Sequence, residues 1–320
     1  MEIPFLGGAY EGRSKSINAQ WSVNMFPVFD EQDAKTIIAM YGTPGTELFC
    51  ETGTVAIVRC MHVMGDYLYA VVGPDVYEID SDGVATDLGA ITTSTGFVSM
   101  ADNGTQLLIV DSTAYGHIVT VGLLSNITDT DYPVAVSCVF FDGFFIVNVK
   151  DTGKIQISKL YDGLIWDALD YATAEAAPDN LVGVGTTRQN VWLFGEESVE
   201  IWYNSGNADF PFQRVPGGVI DLGCAAVATI TEIEGVLHWL SNKKTVVCNV
   251  GYTFKVVSVP GIEYQISTYS VNLLEDAIGW AYFLEGRVFY VVNFPSEDKT
   301  WVLELKSGHW HEWRSLVEGI

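Results

Sequence analysis

The chain has 320 residues, enough for one large domain or two small ones, and a domain of this size buries roughly three quarters of its unfolded surface. Hydrophobic residues make up 48% of the chain and charged residues 18%, a composition that excludes intrinsic disorder. The 16 Lys and Arg against 40 Asp and Glu leave a formal charge of −24. That charge argues against a surface that binds DNA, RNA or anionic lipid, because such surfaces need clustered basic side chains.

The first 50 residues differ from the rest of the chain. Glycine and proline recur there among mixed polar residues, and no strand alternation is visible. We therefore predict an irregular N-terminal arm. Residues 1–4 show no basic region followed by an apolar core, so we expect no signal peptide.

From Val55 onward, short apolar runs are separated by turn residues. Several of these turns are two-residue hairpin signals. They are Gly65-Asp66, Asn103-Gly104, Asp142-Gly143, Glu234-Gly235 and Glu285-Gly286. Each is followed by a run rich in aromatic or β-branched residues, and a sixth such run follows Gln189-Asn190. The turn within the most apolar stretch, residues 134–149, predicts a hairpin there rather than a membrane helix.

The apolar runs repeat along the chain. They start at residues 67, 106, 144, 191, 236 and 287, and a second run follows within each unit, at 76, 118, 155, 199, 245 and 301. A period of roughly 40–50 residues with about four short strands per unit is typical of β-propellers. The runs are nearly continuous in apolar residues, whereas a sheet with one wet face would alternate. We predict an all-β fold, a six-bladed β-propeller over residues 55–320, with the irregular arm of residues 1–54 wrapping or docking on it.

One segment has near-helical spacing of its apolar residues. Trp166, Leu169 and Ala176 would share a helix face, and Pro178 would end the helix. Tyr171 and the propeller context favour a strand instead. We predict that this segment is mostly extended.

Motifs for catalysis or cofactor binding are lacking. The chain has no G-x-x-x-x-G-K-[ST] loop, no complete G-x-G-x-x-G and no G-x-S-x-G elbow. His309 and His311 are the only closely spaced histidines, and we interpret them as a surface pair at a strand end rather than as metal ligands. Asp80-Ser81-Asp82-Gly83 and Asp129-Thr130-Asp131 resemble parts of calcium loops, but turn chemistry explains them better. We predict no catalytic residue, no metal and no cofactor.

The cysteines do not suggest a disulfide framework. Their number is odd and no two form a C-x-x-C pair, so we predict free thiols in a reducing compartment. They are Cys50, Cys60, Cys138, Cys224 and Cys248. The aromatic residues of the predicted central strands, Trp192, Trp202, Trp239, Tyr67 and Tyr69, are interpreted as core rather than as a ligand platform.

The arm carries a motif that resembles a known family. Its residues are Pro4-Phe5-Leu6-Gly7-Gly8, Tyr10, Arg13-Ser14, Asn18-Ala19-Gln20, Val23-Asn24-Met25-Phe26-Pro27 and Tyr41-Gly42-Thr43-Pro44-Gly45. Further matching segments are Phe141-Asp142-Gly143, Trp166-Asp167-Ala168-Leu169, Ala174-Glu175 and residues 178–183. Together they resemble the packaged-DNA stabilisation proteins of short-tailed bacteriophages, also called tail accessory, nozzle or hub proteins.

The resemblance implies a structural role in the virion tail for a protein made in the host cytoplasm. Such proteins form a hexameric ring below the portal and its head-to-tail adaptor ring. They help to retain packaged DNA, which they enclose without reading its sequence, and they attach tail fibres or spikes and a plug or needle. No membrane anchor is implied. The candidates for subunit or adaptor contacts are Tyr10, Arg13, Ser14, Asn18, Gln20 and Asn24.

Two alternatives remain open at the level of sequence. A propeller glycosidase of the sialidase kind would carry three arginines for a substrate carboxylate and S-x-D-x-G-x-x-W boxes. The chain offers six arginines but only a fragment of such a box, Ser296-Glu297-Asp298. A generic propeller interaction scaffold of the WD-repeat kind is the second alternative. It is weakened because Trp166-Asp167 is the only Trp-Asp pair.

Overall fold

The structure is a computed structural model that describes residues 10–11, 19–29 and 38–315. The chain divides into two compact units, one formed by residues 47–224 and the other by residues 1–46 with 225–320. Six four-stranded antiparallel sheets, each built from strands consecutive in sequence, form the blades of a β-propeller. The predicted six-bladed, all-β fold is confirmed. The predicted boundary at residue 54 stays a prediction.

Residues 47–224 form four blades. Their strands are β5 (Val58–Met64), β6 (Tyr67–Val72), β7 (Asp75–Ile79), β8 (Ala85–Ala90), β9 (Ser99–Asp102), β10 (Leu107–Val110), β11 (His117–Thr120), β12 (Leu123–Asn126), β13 (Ala135–Phe141), β14 (Phe144–Val149), β15 (Lys154–Lys159), β16 (Asp162–Thr173), β17 (Leu181–Thr186), β18 (Val191–Gly195), β19 (Val199–Asn204) and β20 (Phe212–Ile220). The first strands of these blades lie side by side, since β13 packs against both β9 and β17, and β5 lies against β9. The fourth strand of each blade is therefore its outer strand.

The other unit holds the fifth and sixth blades, two short hairpins and one helix. Its strands are β1 (Tyr10–Glu11), β2 (Ala19–Gln20), β3 (Met25–Phe29), β4 (Ile38–Gly42), β21 (Thr231–Ile233), β22 (Val236–Leu240), β23 (Val246–Val250), β24 (Thr253–Val256), β25 (Ile278–Leu284), β26 (Arg287–Phe294), β27 (Lys299–Glu304) and β28 (His309–Trp313), and its helix is α1 (Pro260–Thr268). Three short 3-10 helices span Val227–Thr229, Val271–Asp276 and Pro295–Glu297.

The predicted repeat matches the blades strand for strand. The first run of each unit is the second strand of a blade, and the second run is the third strand. These strands are buried on both faces; all four residues of β10 and all five of β18 are buried. The predicted core aromatics Trp192, Trp239 and Tyr69 are at most 1% exposed. The predicted extended conformation of the segment around Leu169 is confirmed, since it lies in β16.

The hairpin signals also occupy the predicted turns. Phe141 pairs with Phe144, so Asp142-Gly143 is the two-residue loop between β13 and β14. Both loop residues have positive φ, 47° and 89°. The two-residue type I′ turn needs this conformation, and its twist matches that of the flanking strands, which explains why Asp-Gly and Glu-Gly recur between first and second strands.

Two features were not predicted from the sequence. Within the arm, β3 and β4 form an antiparallel hairpin in which Phe26 pairs with Tyr41, so the arm is not wholly irregular. The helix α1 follows β24 and carries Pro260 at its start. Helix α1 buries Ile262 and Ile266 in the cluster that also contains Tyr290 and Trp310. Tertiary packing therefore stabilises a nine-residue helix that would be marginal in isolation.

Candidate interaction site

The arm hairpin docks on the last blade. Val23 forms a parallel bridge with Glu312 of β28, and the backbone N–H of Asn24 donates to the Glu312 carbonyl at 2.9 Å. Phe26 is 2% exposed and packs with Phe289 and Val302. The arm thus covers the outer strand of the sixth blade within its own chain, and it contributes one side chain to the core of that blade.

Asn24 is the polar anchor of this contact. Its Nδ2 donates to the Arg314 carbonyl at 2.9 Å, and the Arg314 N–H donates to its Oδ1 at 2.9 Å. Its φ of 54° is a conformation that asparagine tolerates better than most residues. Its carbonyl accepts from the N–H of Thr43, which joins the two ends of the hairpin. Of the six predicted contact residues, Asn24 is therefore the one whose side-chain hydrogen bonds the structure describes, and both are made within the chain.

The structure says less of the other predicted contact residues. Tyr10 pairs with Gln20 through the backbone, as neighbours in the β1–β2 hairpin. Arg13, Ser14 and Asn18 lie outside the described residues. A subunit or adaptor contact at any of the six positions stays a prediction.

A buried charge cluster lies beneath the arm. The Glu312 carboxylate is 0% exposed, and its Oε1 accepts from Lys299 Nζ at 2.8 Å and from Arg314 Nε at 2.7 Å. The ring of Trp21 lies 5.0 Å from the Arg314 guanidinium and 5.6 Å from Lys299 Nζ. The two cations neutralise the buried carboxylate, and the aromatic face adds a cation–π attraction to each.

His311 corrects the prediction of a surface histidine pair. His309 is half-buried as a strand-end residue can be, but His311 is 0% exposed. Its ring lies 5.8 Å from that of Phe26 and 6.1 Å from that of Phe289. The arm covers it, which the local sequence of β28 does not reveal. Burial lowers the pKa of His311 to about 3, and within the described structure neither ring nitrogen has a hydrogen-bond partner.

Buried polar residues on the third strands are a feature that the sequence analysis missed. Glu78 of β7 accepts from the Tyr69 hydroxyl at 2.8 Å and from the N–H of Gly122 at 2.8 Å. Gln156 of β15 donates to two backbone carbonyls, those of Asp131 and Asp167. Such side chains form hydrogen bonds with backbone groups that have no partner in a neighbouring strand. The sequence signal that could have revealed these buried polar residues is a polar residue that recurs within otherwise apolar third strands.

A shallow groove lies between the third and fourth blades. Glu200 of β19 is 1% exposed, and its carboxylate accepts from Trp202 Nε1 at 2.8 Å and from the N–H of Ala176 at 2.5 Å. Arg214 Nη1 lies 3.6 Å from the same carboxylate. With Tyr171 and Phe212, these groups line a shallow cavity of about 390 Å³. All of the carboxylate's contacts are internal, which gives it a structural role.

Four of the described arginines have internal hydrogen-bond or ion-pair partners. Arg59 donates to the backbone carbonyls of Gly73, Thr93, Thr95 and Gly96. Three more arginines lie on three different carboxylates: Arg214 on Glu200, Arg287 on Glu304 and Arg314 on Glu312.

The calcium-like segments are turns that their own aspartates stabilise. Asp80 Oδ1 accepts from the N–H groups of Asp82 and Val84, and Asp129 accepts from those of Asp131 and Trp166. Within residues 10–11, 19–29 and 38–315, no group of three His, Cys, Asp or Glu side chains could hold a metal ion. In the same part of the chain, no helix is long and apolar enough to cross a membrane. All five cysteines are free.

Fold and contacts together define a six-bladed propeller whose arm is bound to its last blade. The family model described as "Bacteriophage P22 Gp10, beta-propeller", of the phage stabilisation proteins, matches residues 1–320. The chain belongs to this family, as its sequence motifs predicted. No curated protein matches the chain.

Two solved structures with a TM-score of 0.50 resemble this fold at low sequence identity. The WD40 β-propeller domain of Doa1 has 12% identity and a TM-score of 0.50, over 83% of this chain and 84% of that one. BamB from Moraxella catarrhalis has 8% identity and a TM-score of 0.50, over 78% of this chain and 72% of that one. PorZ, a surface component of the type-IX secretion system of Porphyromonas gingivalis, has 9% identity and a TM-score of 0.47 over 83% of this chain. The chain spans only 39% of the length of PorZ.

Proposed function

We propose that this chain is a structural protein of the phage virion, a tail nozzle or hub that forms a hexameric ring below the portal and its adaptor ring. There it helps to retain packaged DNA and attaches tail fibres or spikes and a plug or needle. The observation that carries the proposal is the family match over residues 1–320.

The charge of the chain supports a conduit rather than a DNA-binding protein. With a formal charge of −24, a lumen lined by this protein would repel the phosphate backbone. Repulsion lets a genome slide past without adhering. Retention then comes from closing the channel rather than from gripping DNA.

The same charge supports assembly on a template. Like-charged copies repel over distances of about 10 Å at 0.1 M salt, so free subunits resist closing into a ring. We expect the isolated chain to be a monomer or a weak oligomer that becomes a six-fold ring on its adaptor. A stable hexamer of the isolated chain in dilute low-salt buffer would contradict this.

The arm is the proposed source of contacts made on assembly. Residues 22–29 contact the sixth blade and residues 38–43 pair with them, whereas Tyr10, Arg13, Ser14, Asn18 and Gln20 precede this anchor. Deleting residues 1–20 leaves the anchor intact. We expect this deletion to impair ring formation on the adaptor while the propeller still folds; unchanged assembly would assign the arm a purely intramolecular role.

The central test is a phage that carries a nonsense codon in the gene of this protein. We expect filled heads that lose their DNA, measured as DNase-sensitive genome in purified particles, and restoration by the protein supplied in trans. Antibody labelling should place the protein on the tail. Particles that lack the protein and keep their genome protected would refute the proposed function.

A further inference from the structure

The outer strands of the six blades differ in what they expose. Four of them, β8, β12, β20 and β28, expose at most one large hydrophobic side chain each. Two others expose several: β16 exposes Leu164, Ile165, Leu169 and Tyr171, and β24 exposes Phe254 and Val256. Within the described chain, no strand pairs with the outer edge of either one. An apolar edge strand with unpaired backbone groups is a template for pairing with another chain, and β16 offers 12 residues and β24 four.

The surroundings of β24 are unusual in charge. The 28 residues from Gly235 to Ile262 contain no Asp or Glu, although the whole chain averages one in eight residues, and they contain Lys243, Lys244 and Lys255. Val250 and Tyr252, which precede β24, are also exposed and extend its apolar stripe. The charged residue on β24 itself is Lys255, which is exposed, so this edge carries one positive charge on a protein of charge −24.

The surroundings of β16 are opposite in charge. Asp162, Asp167 and Asp170 lie on β16, which has no basic residue of its own. Lys159 of the neighbouring strand pairs with Asp167 at 3.2 Å and with Asp170 at 2.6 Å, and Lys154 of the same strand lies 4.6 Å from the centre of the Tyr171 ring. Three aspartates and two lysines therefore leave a local charge of −1. Leu169, between them, is 81% exposed.

We propose that the β24 edge of one copy of this chain docks on the β16 edge of a second copy. The two edges have matching apolar stripes and opposite charges. A contact between two different surfaces of identical chains is head-to-tail, and repetition of such a contact closes a ring when its rotation permits. The inference deepens the proposed function by naming the subunit interface, and it rests on that proposed function.

Charge makes the pairing selective. Two β16 edges would bring two acidic surfaces together, and two β24 edges would bring their lysines together. Only the mixed pairing joins unlike charges, which favours one orientation over the two symmetric ones. The apolar stripes supply the attraction that overcomes the long-range repulsion of the two acidic proteins.

The test is chemical trapping between two variants of the full chain, each of which carries one added cysteine. Thr253→Cys marks β24 and Ala168→Cys marks β16; both positions are exposed, and both changes leave the apolar stripes and the charges intact. Ala90→Cys, on the exposed face of the outer strand β8, is the matched control. Mixtures at high protein concentration are treated with a short bis-maleimide, and the unmodified chain with its five native cysteines sets the background.

We expect the mixture of Thr253→Cys and Ala168→Cys to give about tenfold more cross-linked heterodimer than the mixture of Thr253→Cys and Ala90→Cys, because an interface raises the local concentration of the paired thiols. Adding Phe254→Ser to the first partner or Leu169→Ser to the second should remove the excess. Equal yields in the two mixtures, or a greater yield from Thr253→Cys alone, would overturn the proposed interface.

The outcomes separate this inference from the proposed function. Selective trapping of a protein that is absent from the virion tail would leave the interface standing and refute the tail role. Tails that contain rings of this chain, together with unselective trapping, would support the tail role and refute the interface.

Discussion

Replacing His311 by phenylalanine tests the packing between the arm and the sixth blade. The imidazole is fully buried between Phe26 and Phe289, and within the described structure its nitrogens have no hydrogen-bond partner. A phenyl ring suits these aromatic neighbours and cannot be protonated. His311→Phe therefore removes a titrating group while it keeps an aromatic ring in place.

The magnitude follows from the pKa of His311, which burial lowers from 6.5 to about 3. Above pH 6.5 both folded and unfolded chains hold the imidazole neutral, and the group has no effect on the pH dependence. Between pH 6.5 and 3 only the unfolded chain binds the proton, so the folded state loses about 1.4 kcal/mol per pH unit. From pH 7.5 to 4.5 this loss is about 2.7 kcal/mol, and His311→Phe should abolish it.

At neutral pH the effect of the variant is smaller. Loss of two unpaired buried nitrogens stabilises the folded state by about 1–3 kcal/mol, and the larger ring offsets this by a similar amount through overpacking. The difference between the two pH values is therefore the decisive quantity.

The assay is denaturant unfolding of the full chain at pH 7.5 and 4.5, with the variant compared to the unmodified protein. His309→Phe is the matched control, because His309 lies in the same strand with its half-buried ring 5.0 Å from that of Phe29. If His311→Phe loses as much stability on acidification as the unmodified chain does, His311 is not buried and neutral beneath the arm, and the reasoning is refuted.

Three further predictions concern stability. Arg59→Lys should lower the free energy of unfolding by about 2–4 kcal/mol in denaturant titration, because one ammonium cannot replace five hydrogen bonds from a planar guanidinium; a loss below 1 kcal/mol would contradict this. Gly223→Ala should lower the free energy of unfolding by about 3 kcal/mol or more in denaturant titration, since its Cβ would collide with the Glu196 carbonyl oxygen; a variant as stable as the parent would show that the close approach is absent. Asn24→Ala should speed proteolysis of the arm about tenfold while the propeller stays folded, since it removes both side-chain bonds to Arg314; an unchanged cleavage rate would mean that Phe26 and the backbone bridge to Glu312 hold the arm without the Asn24 side chain.

The blades were predictable because each is built from strands that follow one another in the sequence. A blade strand pairs with the next strand in sequence, and turns such as Asp142-Gly143 and Glu285-Gly286 carry the conformation that a two-residue loop requires. Burial on both faces makes the central strands continuously apolar, so the repeat is visible in the sequence. Their number and order therefore follow from the chain itself.

The contacts of the arm were not predictable in this way. Asn24 and Arg314 are separated by 290 positions, and nothing near either residue indicates the other. His311 has the local sequence of an exposed strand end and becomes buried only because Phe26 covers it. The arm motif indicated that Asn24 makes specific contacts, but the partner depends on how the chain folds back.

By itself the sequence determined the all-β class, six units, the positions of their second and third strands, and the family. The fold class, the number of units and the strand positions depend on periodicity and turn chemistry within about 50 residues, whereas the family depends on the motifs of the arm and of residues 141–183. Only the tertiary structure decided that the arm forms a hairpin on the sixth blade, that α1 packs beside Tyr290, and that β16 and β24 are the apolar outer edges. The physical reason is that burial depends on which distant segment covers a residue, whereas strand pairing within a blade depends on its immediate neighbours.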